Sequence, residues 1–192
     1  MAGAPGHTLP DLIRQLTESP HQWSFESALR HLEAATGGPG FGRTKTLAED
    51  PVRFSQDASL APSVARRVAS GAVPRIDWSI QGLLGPNGSL PNHFTEFVRQ
   101  RERNQADPTH VRFLDLFHHR MLGFLYRAWA DGQAAVGYER GEQDRFARYV
   151  ASLFGLGLDA LRRRDAVPDS SKLHFAGRLA SLSKDLEGLE AM

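Results

Sequence analysis

The segment from Thr109 to Ala130, THVRFLDLFHHRMLGFLYRAWA, restricts the possible folds more than any other part of the sequence. Asp107 and Pro108 precede it, and both favour the start of a helix, since Asp caps helices and Pro suits the first turn. The apolar residues that follow form a wide stripe: Phe113, Leu114, Leu116, Phe117, Met121, Leu122, Phe124, Leu125, Ala128 and Trp129. A helix that is apolar on most sides is buried on most sides. The segment therefore predicts a central buried helix at 109–130, with Phe113, Phe117, Phe124 and Trp129 in the core.

Shorter patterns with the helical period predict further helices on both sides of this segment. They lie at about 10–18, 24–35, 93–104 and 144–154, with a last pair around Ala160 and from Lys172 onward. Ser24 suits the N-cap of the second helix, and the GGPGFG run that follows ends it. In the helix at 144–154 we expect the inward residues to be Phe146, Tyr149, Val150 and Leu153.

Two segments alternate apolar and polar residues with the period of a strand. In the segment 51–60, Val52 and Phe54 face one way, and in the segment 75–84, Ile76 and Trp78 do so. Their separation favours a small antiparallel ribbon, and the stretch 62–74 between them is expected to be a loop or a short helix. The predicted fold class is therefore α+β and helix-dominant, with several helices around the central helix and one strand ribbon.

The predicted organisation is a flexible start with a short helix at 1–19, followed by a single α+β domain at 20–192. The sequence closes on DLEGLEAM, where a new apolar period has just begun. A packing unit normally ends before its C-terminus, so we also expect this domain to be truncated at its C-terminal end.

The composition excludes several classes of protein. The chain has 23 Lys and Arg against 22 Asp and Glu, so a net charge of +1 does not require nucleic acid or an acidic membrane as a partner. With no cysteine, disulfide frameworks, thiolate metal sites and cysteine nucleophiles are excluded. The first residues lack the pattern of a signal peptide, and no stretch approaches the roughly 20 apolar residues of a membrane span. We therefore expect a soluble, cytoplasmic protein.

The glycine-rich segment GLLGPNG at 82–88 follows a predicted strand, as a phosphate-binding loop would. It contains no GK[ST], and its spacing fits neither common nucleotide-binding motif. Pro86 also removes one N–H donor. Because Pro-Asn-Gly is a typical turn sequence, the segment predicts a turn, on which Leu83 and Leu84 suit a protein contact.

Asp115, His118 and His119 are close neighbours on the predicted helix 109–130. Adjacent histidines diverge by about 100° around a helix, so both cannot easily bind one metal ion, and the HExxH motif is absent. A metal-dependent hydrolase that uses these three residues is the alternative function. The interpretation that we favour is a partly buried histidine pair with Asp115 or Arg120 as its partner.

Motifs for nucleophilic catalysis, such as GxSxG and SxxK, are absent from the sequence. The basic run Arg162–Arg164 is typical of a solvated helix end, and a nucleic-acid contact there is a third hypothesis. The sequence therefore predicts no catalytic residue, no cofactor and no metal site.

Four segments resemble, in order and spacing, those of a known family. They are PHQWSFESALRHLE from Pro20, VRFSQDASLA from Val52, GLLGPNGSLP from Gly82 and FLDLFHHRMLGFLYRAWA from Phe113. The family is TssG, also called VasB or ImpH, a baseplate component of the bacterial type VI secretion system. The last two segments are the specific ones, and the resemblance covers about residues 20–192.

The resemblance implies a structural role and no enzymatic activity. TssG-like proteins form the baseplate wedge with TssF, and they hold TssK, the adaptor to the membrane complex, and TssE, which connects to the sheath. The assembly is analogous to that of contractile phage tails and serves effector delivery.

For this chain the resemblance therefore implies a cytoplasmic hetero-oligomer, recruited to the inner face of the inner membrane through the assembled apparatus. It implies neither a nucleic-acid partner nor direct membrane insertion. The Gly/Pro loops would be docking elements, and the predicted interface residues are Leu83, Leu84, Pro86 and Asn87.

Overall fold

The computed structural model describes residues 8–60, 65–69, 73–78, 81–141, 144–181, 186 and 190. Its strands are β1 (Arg53–Ser55), β2 (Ala65–Ala69) and β3 (Arg75–Trp78). Its helices are α1 (Leu9–Glu18), α2 (Phe25–Thr36), α3 (Asn92–Asn104), α4 (Thr109–Ala130), α5 (Ala134–Glu139), α6 (Arg145–Ser152), α7 (Asp169–His174) and α8 (Ala176–Leu179), with short 3-10 turns at Pro20–Gln22, Leu47–Glu49 and Asp159–Leu161. The helices predicted at 10–18, 24–35, 93–104, 109–130 and 144–154 are confirmed, with ends that differ by at most two residues. Within the described ranges, no helix combines the length and apolar character that crossing a membrane requires.

The chain forms two compact units, one up to Gly132 and the other from Gln133 onward. The first unit holds α1 to α4 and the strands, and the second holds α5 to α8. The division after residue 19 and the single domain at 20–192 remain predictions.

The start and end of α2 follow from local sequence. The Ser24 hydroxyl accepts a hydrogen bond from the Ser27 N–H at 3.1 Å, which caps the first turn. Gly37 ends the helix in the left-handed conformation, with φ of 61°. The predicted apolar stripe is buried and consists of Phe25, Ala28, Leu29 and Leu32.

The predicted antiparallel ribbon at 51–60 and 75–84 is wrong. β1 and β3 pair in parallel, with Phe54 opposite Ile76. The stretch expected to be a loop or a short helix contains β2, which runs antiparallel to β3, so the strand order is β1-β3-β2. β2 lies at the far edge and runs opposite to β1, and β3 lies in the centre and runs opposite to β2. β3 therefore points the same way as β1.

The main core of the first unit lies between the sheet, α2 and α4. Phe54, Ile76 and Trp78 from the strands and Leu122 and Tyr126 from α4 are each 1% exposed or less. The Phe25 and Trp78 rings meet edge to face with centroids 5.1 Å apart.

Gly42, in the segment after α2, touches the backbone of α4. A Cβ at Gly42 would lie 2.3 Å from the carbonyl oxygen of Gly123, and Gly42 has a φ of 74°. Only glycine allows this contact, so the segment after α2 is pressed directly against α4.

A second apolar cluster lies under the turn 81–90. It joins Ala58, Leu84 and Val98 to Val111 and Leu114 near the start of α4, and Leu83, Leu90 and Phe94 pack against it.

Asp107 holds the start of α4, since it accepts hydrogen bonds from the Thr109 N–H at 3.1 Å and from the Arg101 guanidinium at 2.6 Å. The Thr109 hydroxyl and Arg101 hold the pKa of Asp107 well below its usual range.

The bounds predicted for α4 are confirmed, but its predicted burial on most sides is wrong. One face is buried, and it carries Val111, Leu114, His118, His119, Leu122, Gly123, Tyr126 and Ala130. Phe113, Phe117 and Phe124, which were predicted in the core, are 59%, 49% and 47% exposed. Trp129 is half-buried. His118 and His119 occupy two positions on the buried face, where each forms hydrogen bonds. Because these polar residues take buried positions, part of the apolar stripe lies on the exposed side of the helix.

The second unit buries little apolar surface. Its described buried residues are Val136, Asp144, Ala151 and Ala176. Asp144 caps α6 by accepting a hydrogen bond from the Ala147 N–H at 3.0 Å. Phe146, Tyr149 and Leu153, which were predicted to face inward, are 58%, 60% and 70% exposed. The predicted orientation of α6 is therefore wrong.

Candidate partner-binding surface

The segment 81–90, called the rigid turn below, has a backbone fixed by the body of the first unit. The Gln56 amide bonds Leu84 twice: its Nε2 donates to the Leu84 carbonyl at 2.6 Å, and its Oε1 accepts from the Leu84 N–H at 2.9 Å. The Gly85 N–H donates to the Thr95 hydroxyl at 3.0 Å. A Cβ at Gly82 would lie 2.1 Å from the Gln56 Oε1, so the rigid turn passes too close to Gln56 for a larger residue.

Several backbone N–H groups of the rigid turn donate to atoms of the protein. The Gly88 N–H donates to the Gly85 carbonyl at 3.1 Å, and the Leu90 N–H donates to the Leu83 carbonyl at 3.0 Å. The predicted turn at Pro86–Gly88 is therefore confirmed. A phosphate cradle requires free, convergent N–H groups, and those of Leu83, Leu84 and Gly85 are already engaged.

The four predicted interface residues lie at different depths. Leu84 is 1% exposed and belongs to the second apolar cluster, and Leu83 packs against that cluster. Pro86 and Asn87 are exposed at the tip. Leu84 therefore acts as an anchor in this chain, whereas Pro86 and Asn87 are accessible to a partner.

His118 connects α4 to the rigid turn. Its Nε2 accepts a hydrogen bond from the Leu83 N–H at 3.0 Å. Its Nδ1 lies 3.6 Å from the Oδ1 of Asp115, one of its two predicted partners. Arg120, the other predicted partner, donates to the Thr44 carbonyl at 3.0 Å.

His119 connects α4 to the sheet. Its Nδ1 accepts from the Phe54 N–H at 3.1 Å, so its Nε2 carries the proton and donates to the Asp50 Oδ2 at 2.8 Å. Burial lowers the pKa of His119 below its usual 6.5, although the hydrogen bond to Asp50 acts in the opposite direction. His119 is therefore a neutral residue of the core near pH 7.

The Asp115, His118 and His119 cluster does not have the geometry of a metal site. The lone pair of each imidazole accepts a backbone N–H, from Leu83 in one case and from Phe54 in the other. Asp115 accepts from the Gln56 N–H at 3.3 Å and pairs with Arg112 at 3.3 Å. Within the described ranges, the structure contains no group of three or more His, Asp or Glu residues that could hold a metal ion.

The basic run Arg162–Arg164 is partly engaged within the second unit. The Arg162 Nε donates to the Leu156 carbonyl at 3.2 Å, and the Arg163 N–H donates to the Asp169 carboxylate at 3.0 Å. Arg164 is exposed. Two of the three residues therefore contact atoms of the second unit, and the solvated helix end stays a prediction.

The outward side of α4 is an accessible apolar surface that the sequence did not predict. Its residues are 37% to 59% exposed and comprise Phe113, Leu116, Phe117, Met121, Phe124 and Leu125. They are called the α4 outer face below. Exposed apolar patches of this kind are typical of protein contacts.

A family model described as type VI secretion, TssG, matches residues 19–192. The chain belongs to the TssG family. The resemblance found in the sequence is thereby confirmed over nearly its whole extent. Curated proteins and solved structures gave no significant match. Because TssG is a structural component of the type VI secretion baseplate, this TssG chain is a baseplate subunit.

Sequence reasoning missed two features of the TssG surface. Gln56 carries no signal of its role, because a polar residue beside a strand is normally expected to face solvent. The α4 outer face did carry a signal, since ten apolar residues around one helix exceed what one buried side accommodates. That excess was interpreted as deeper burial.

Proposed function

We propose that this chain is a wedge subunit which assembles with TssF-, TssK- and TssE-type proteins in the baseplate, and that the rigid turn is one of its contact elements. The observation that carries the proposal is a turn whose backbone is fixed by Gln56, Thr95 and His118 while Pro86 and Asn87 face solvent. The family match supplies the class of partner.

A fixed turn suits assembly because binding then orders little additional chain. Immobilising flexible groups costs about 0.5–1.5 kcal/mol for each side chain, and a preformed turn avoids much of that cost. The hydrogen bonds to Leu84 and Gly85 already satisfy polar groups that would otherwise need water or a partner. A partner therefore meets a small surface of fixed shape.

The proposed role is structural: the chain is one part of an assembled apparatus that delivers effectors. We infer that the chain acts as a cytoplasmic hetero-oligomer. Its recruitment to the inner face of the inner membrane would proceed through the assembled apparatus, as the resemblance implies. Neither nucleic acid nor direct membrane insertion enters this proposal.

The test is coexpression of the tagged chain with the TssF-, TssK- and TssE-type proteins of the same secretion system, followed by purification on the tag. We expect a stable complex that contains the TssF- and TssK-type proteins. Replacing both Pro86→Ala and Asn87→Ala should lower the retention of at least one partner about tenfold, which corresponds to a loss of about 1.4 kcal/mol of binding free energy.

The matched control is the pair Pro39→Ala and Asn104→Ala, which removes the same two residue types from exposed positions elsewhere in the first unit. The control variant should retain every partner at the wild-type level. If the wild-type chain retained none of the three proteins, the proposed assembly role would be wrong. If the wild-type chain retained its partners and the rigid-turn variant retained them equally well, the assembly role would stand and the turn would not be a contact element.

A further inference from the structure

The α4 outer face exposes a continuous apolar stripe along the helix. Phe113, Phe117, Met121 and Phe124 follow one another at spacings of four, four and three residues, which places them in one row. The Phe113 and Phe117 rings already meet edge to face at 5.4 Å. The face exposes roughly 500 Å² if each large side chain has about 200 Å² to bury, an area at the upper end for a patch on a monomer.

Two arginines border this row on one flank. Arg120 and Arg127 lie seven residues apart, so they project along the same side of α4. The Arg120 guanidinium donates to the Thr44 carbonyl at 3.0 Å and lies 4.8 Å from the centre of the Phe124 ring. The Arg127 guanidinium donates to the Gly42 carbonyl at 3.3 Å. Arg127 also lies 3.9 Å from the Asp131 carboxylate. Each guanidinium has further donors, so both can still receive a carboxylate from a partner.

The other flank carries no such charge. Leu125 lies there, on the side of the row opposite Arg120 and Arg127. Asp115 points toward the buried side and is bonded to Gln56 and Arg112, and Asp131 pairs with Arg43 and Arg127 beyond the end of the row. Along the described length of α4, the outer face is therefore apolar in the middle, basic on one edge and apolar on the other.

We propose that the α4 outer face binds an amphipathic helix of another baseplate chain, whose apolar stripe is bordered on one side by Asp or Glu residues seven positions apart. A helix lying along α4 would bury its apolar stripe against Phe113, Phe117 and Phe124. Carboxylates with heptad spacing on one flank would meet Arg120 and Arg127, as charged flanking residues do between paired helices. This inference rests on the proposed function, since it names the kind of partner segment.

Charge decides against an antiparallel pair with a second copy of this chain, and in a parallel pair Arg120 and Arg127 would meet the apolar flank with Leu125 and find no carboxylate. In an antiparallel pair related by a two-fold axis, each flank of α4 would meet the same flank of its partner. Arg120 and Arg127 would then face arginines across the contact. Like charges that directly oppose each other are destabilising, so an acidic helix fits this surface better than α4 itself does.

A membrane surface fits less well than a protein helix. Helices that bind in lipid interfaces present several long cationic side chains on a polar face, free to reach headgroups. α4 has no lysine, and backbone carbonyls of the segment after α2 hold Arg120 and Arg127 beside the apolar row. Such a fixed arrangement favours a partner with matching spacing.

The first test compares the double variant Phe117→Ser and Phe124→Ser with wild type in the coexpression experiment with the TssF-, TssK- and TssE-type proteins. We expect the retention of one partner to fall at least about tenfold. The matched control is Tyr138→Ser with Tyr149→Ser, which removes two exposed aromatic side chains of the second unit, 76% and 60% exposed. Its retention of that partner should stay within about twofold of wild type.

The second test identifies the occupant directly. A photo-crosslinking amino acid at Met121, which is 37% exposed, is activated in the purified complex, and the crosslinked peptide is sequenced by mass spectrometry. We expect a peptide of another chain with helical apolar spacing and Asp or Glu residues on one flank. Arg127→Glu should weaken that contact, and an Arg in place of the facing carboxylate should restore it.

The outcomes separate the two proposals. If wild type retains a partner and the Phe117/Phe124 variant retains it equally, this inference is wrong while the assembly role stands. A crosslink to a second copy or to residues 133–192 of the same chain would also overturn it, as would a crosslink to lipid when the experiment is repeated with vesicles that contain 30% anionic lipid. If wild type retains no partner at all, the assembly role itself has failed.

Discussion

At the scale of single residues, the adjacent histidines of α4 illustrate how the same sequence supports two interpretations. A pair of histidines with an aspartate nearby is consistent with metal binding, yet each imidazole here accepts a backbone N–H from a different element. His118 secures the rigid turn, and His119 secures β1. The sequence shows that the two side chains diverge, but the acceptor role depends on Leu83 and Phe54, which only the tertiary fold brings close.

His119 should make the stability of the first unit depend on pH. Its pKa is lowered by burial, so the folded chain binds fewer protons than the unfolded chain at mildly acidic pH. The stabilising contribution is complete above the usual pKa of 6.5 and is lost as the pH falls toward the lowered value. Urea unfolding of the wild type should therefore show a falling free energy of unfolding below about pH 6.5.

The variant His119→Gln tests this assignment, because glutamine cannot gain a proton. It should be less stable than wild type at pH 7.5 by about 1–3 kcal/mol, since buried donors and acceptors are left poorly paired. Its stability should change less between pH 7.5 and 5.5 than that of wild type. His21→Gln, at an exposed position, is the control and should keep the wild-type slope. Parallel slopes for His119→Gln and wild type would contradict the prediction.

Gly42 should be the glycine least tolerant of substitution in the segment after α2. In Gly42→Ala the new Cβ would lie 2.3 Å from the Gly123 carbonyl oxygen, at a φ of 74°. The left-handed conformation alone costs about 1 kcal/mol, and the backbone must also move, so we expect a loss of about 2 kcal/mol or more. Gly38→Ala, where a Cβ meets nothing within 4 Å, should stay within about 0.5 kcal/mol of wild type in the same urea titration. Equal losses in both variants would be inconsistent with a close contact at Gly42.

At the scale of elements, local sequence predicted the bounds of five helices to within two residues, but it missed α5, and the helix predicted around Ala160 is only a 3-10 turn at Asp159–Leu161. Ser24 and Asp144 cap their helices as their positions indicate, and α4 has the predicted bounds. The side on which a helix is buried was predicted correctly for α2 and wrongly for α4 and α6. Periodicity locates an apolar stripe, but a stripe that packs on a partner has the same period as one that packs on the core.

The direction of the strands was the other failure at this scale. Alternation at Phe54 and Ile76 identified two strands, but pairing depends on the path between them. β2, in a stretch expected to be a loop or a helix, changes that path. Strand direction is a property of topology, and no residue in β1 or β3 encodes it locally.

Leucine truncation should distinguish the two sides of α4. Leu122 is 1% exposed and Leu116 is 49% exposed on the same helix. Leu122→Ala should cost about 2–5 kcal/mol of unfolding free energy because it leaves a cavity between α4 and the sheet. Leu116→Ala should cost less than about 1 kcal/mol. Chemical denaturation of the free chain measures both, and similar losses would mean that Leu116 is buried in solution.

At the scale of the whole molecule, the two units differ in how much apolar surface they bury. The first unit encloses large side chains such as Trp78, Tyr126 and Phe54. In the described part of the second unit, the buried apolar residues are Val136, Ala151 and Ala176, and two of them are alanines. A subunit of a permanent assembly can leave an apolar surface such as the α4 outer face exposed when free, because a partner covers that surface in the complex. The sequence analysis assigned Phe113, Phe117 and Phe124 to an internal core because it assumed that the chain buries its apolar side chains within itself.

This difference predicts unequal local stability in the free chain. Segments with few buried apolar contacts open at low free energy and exchange their amide hydrogens quickly. α2 and α6 form a matched pair, since each has a side-chain N-cap, while α2 buries Phe25, Leu29 and Leu32 and α6 buries Ala151 alone. Hydrogen exchange followed by mass spectrometry should therefore find α2 amides at least about 100-fold slower than α6 amides. Equal protection in the two helices would show that the second unit has a core of its own in solution, and that Phe146, Tyr149 and Leu153 are buried there.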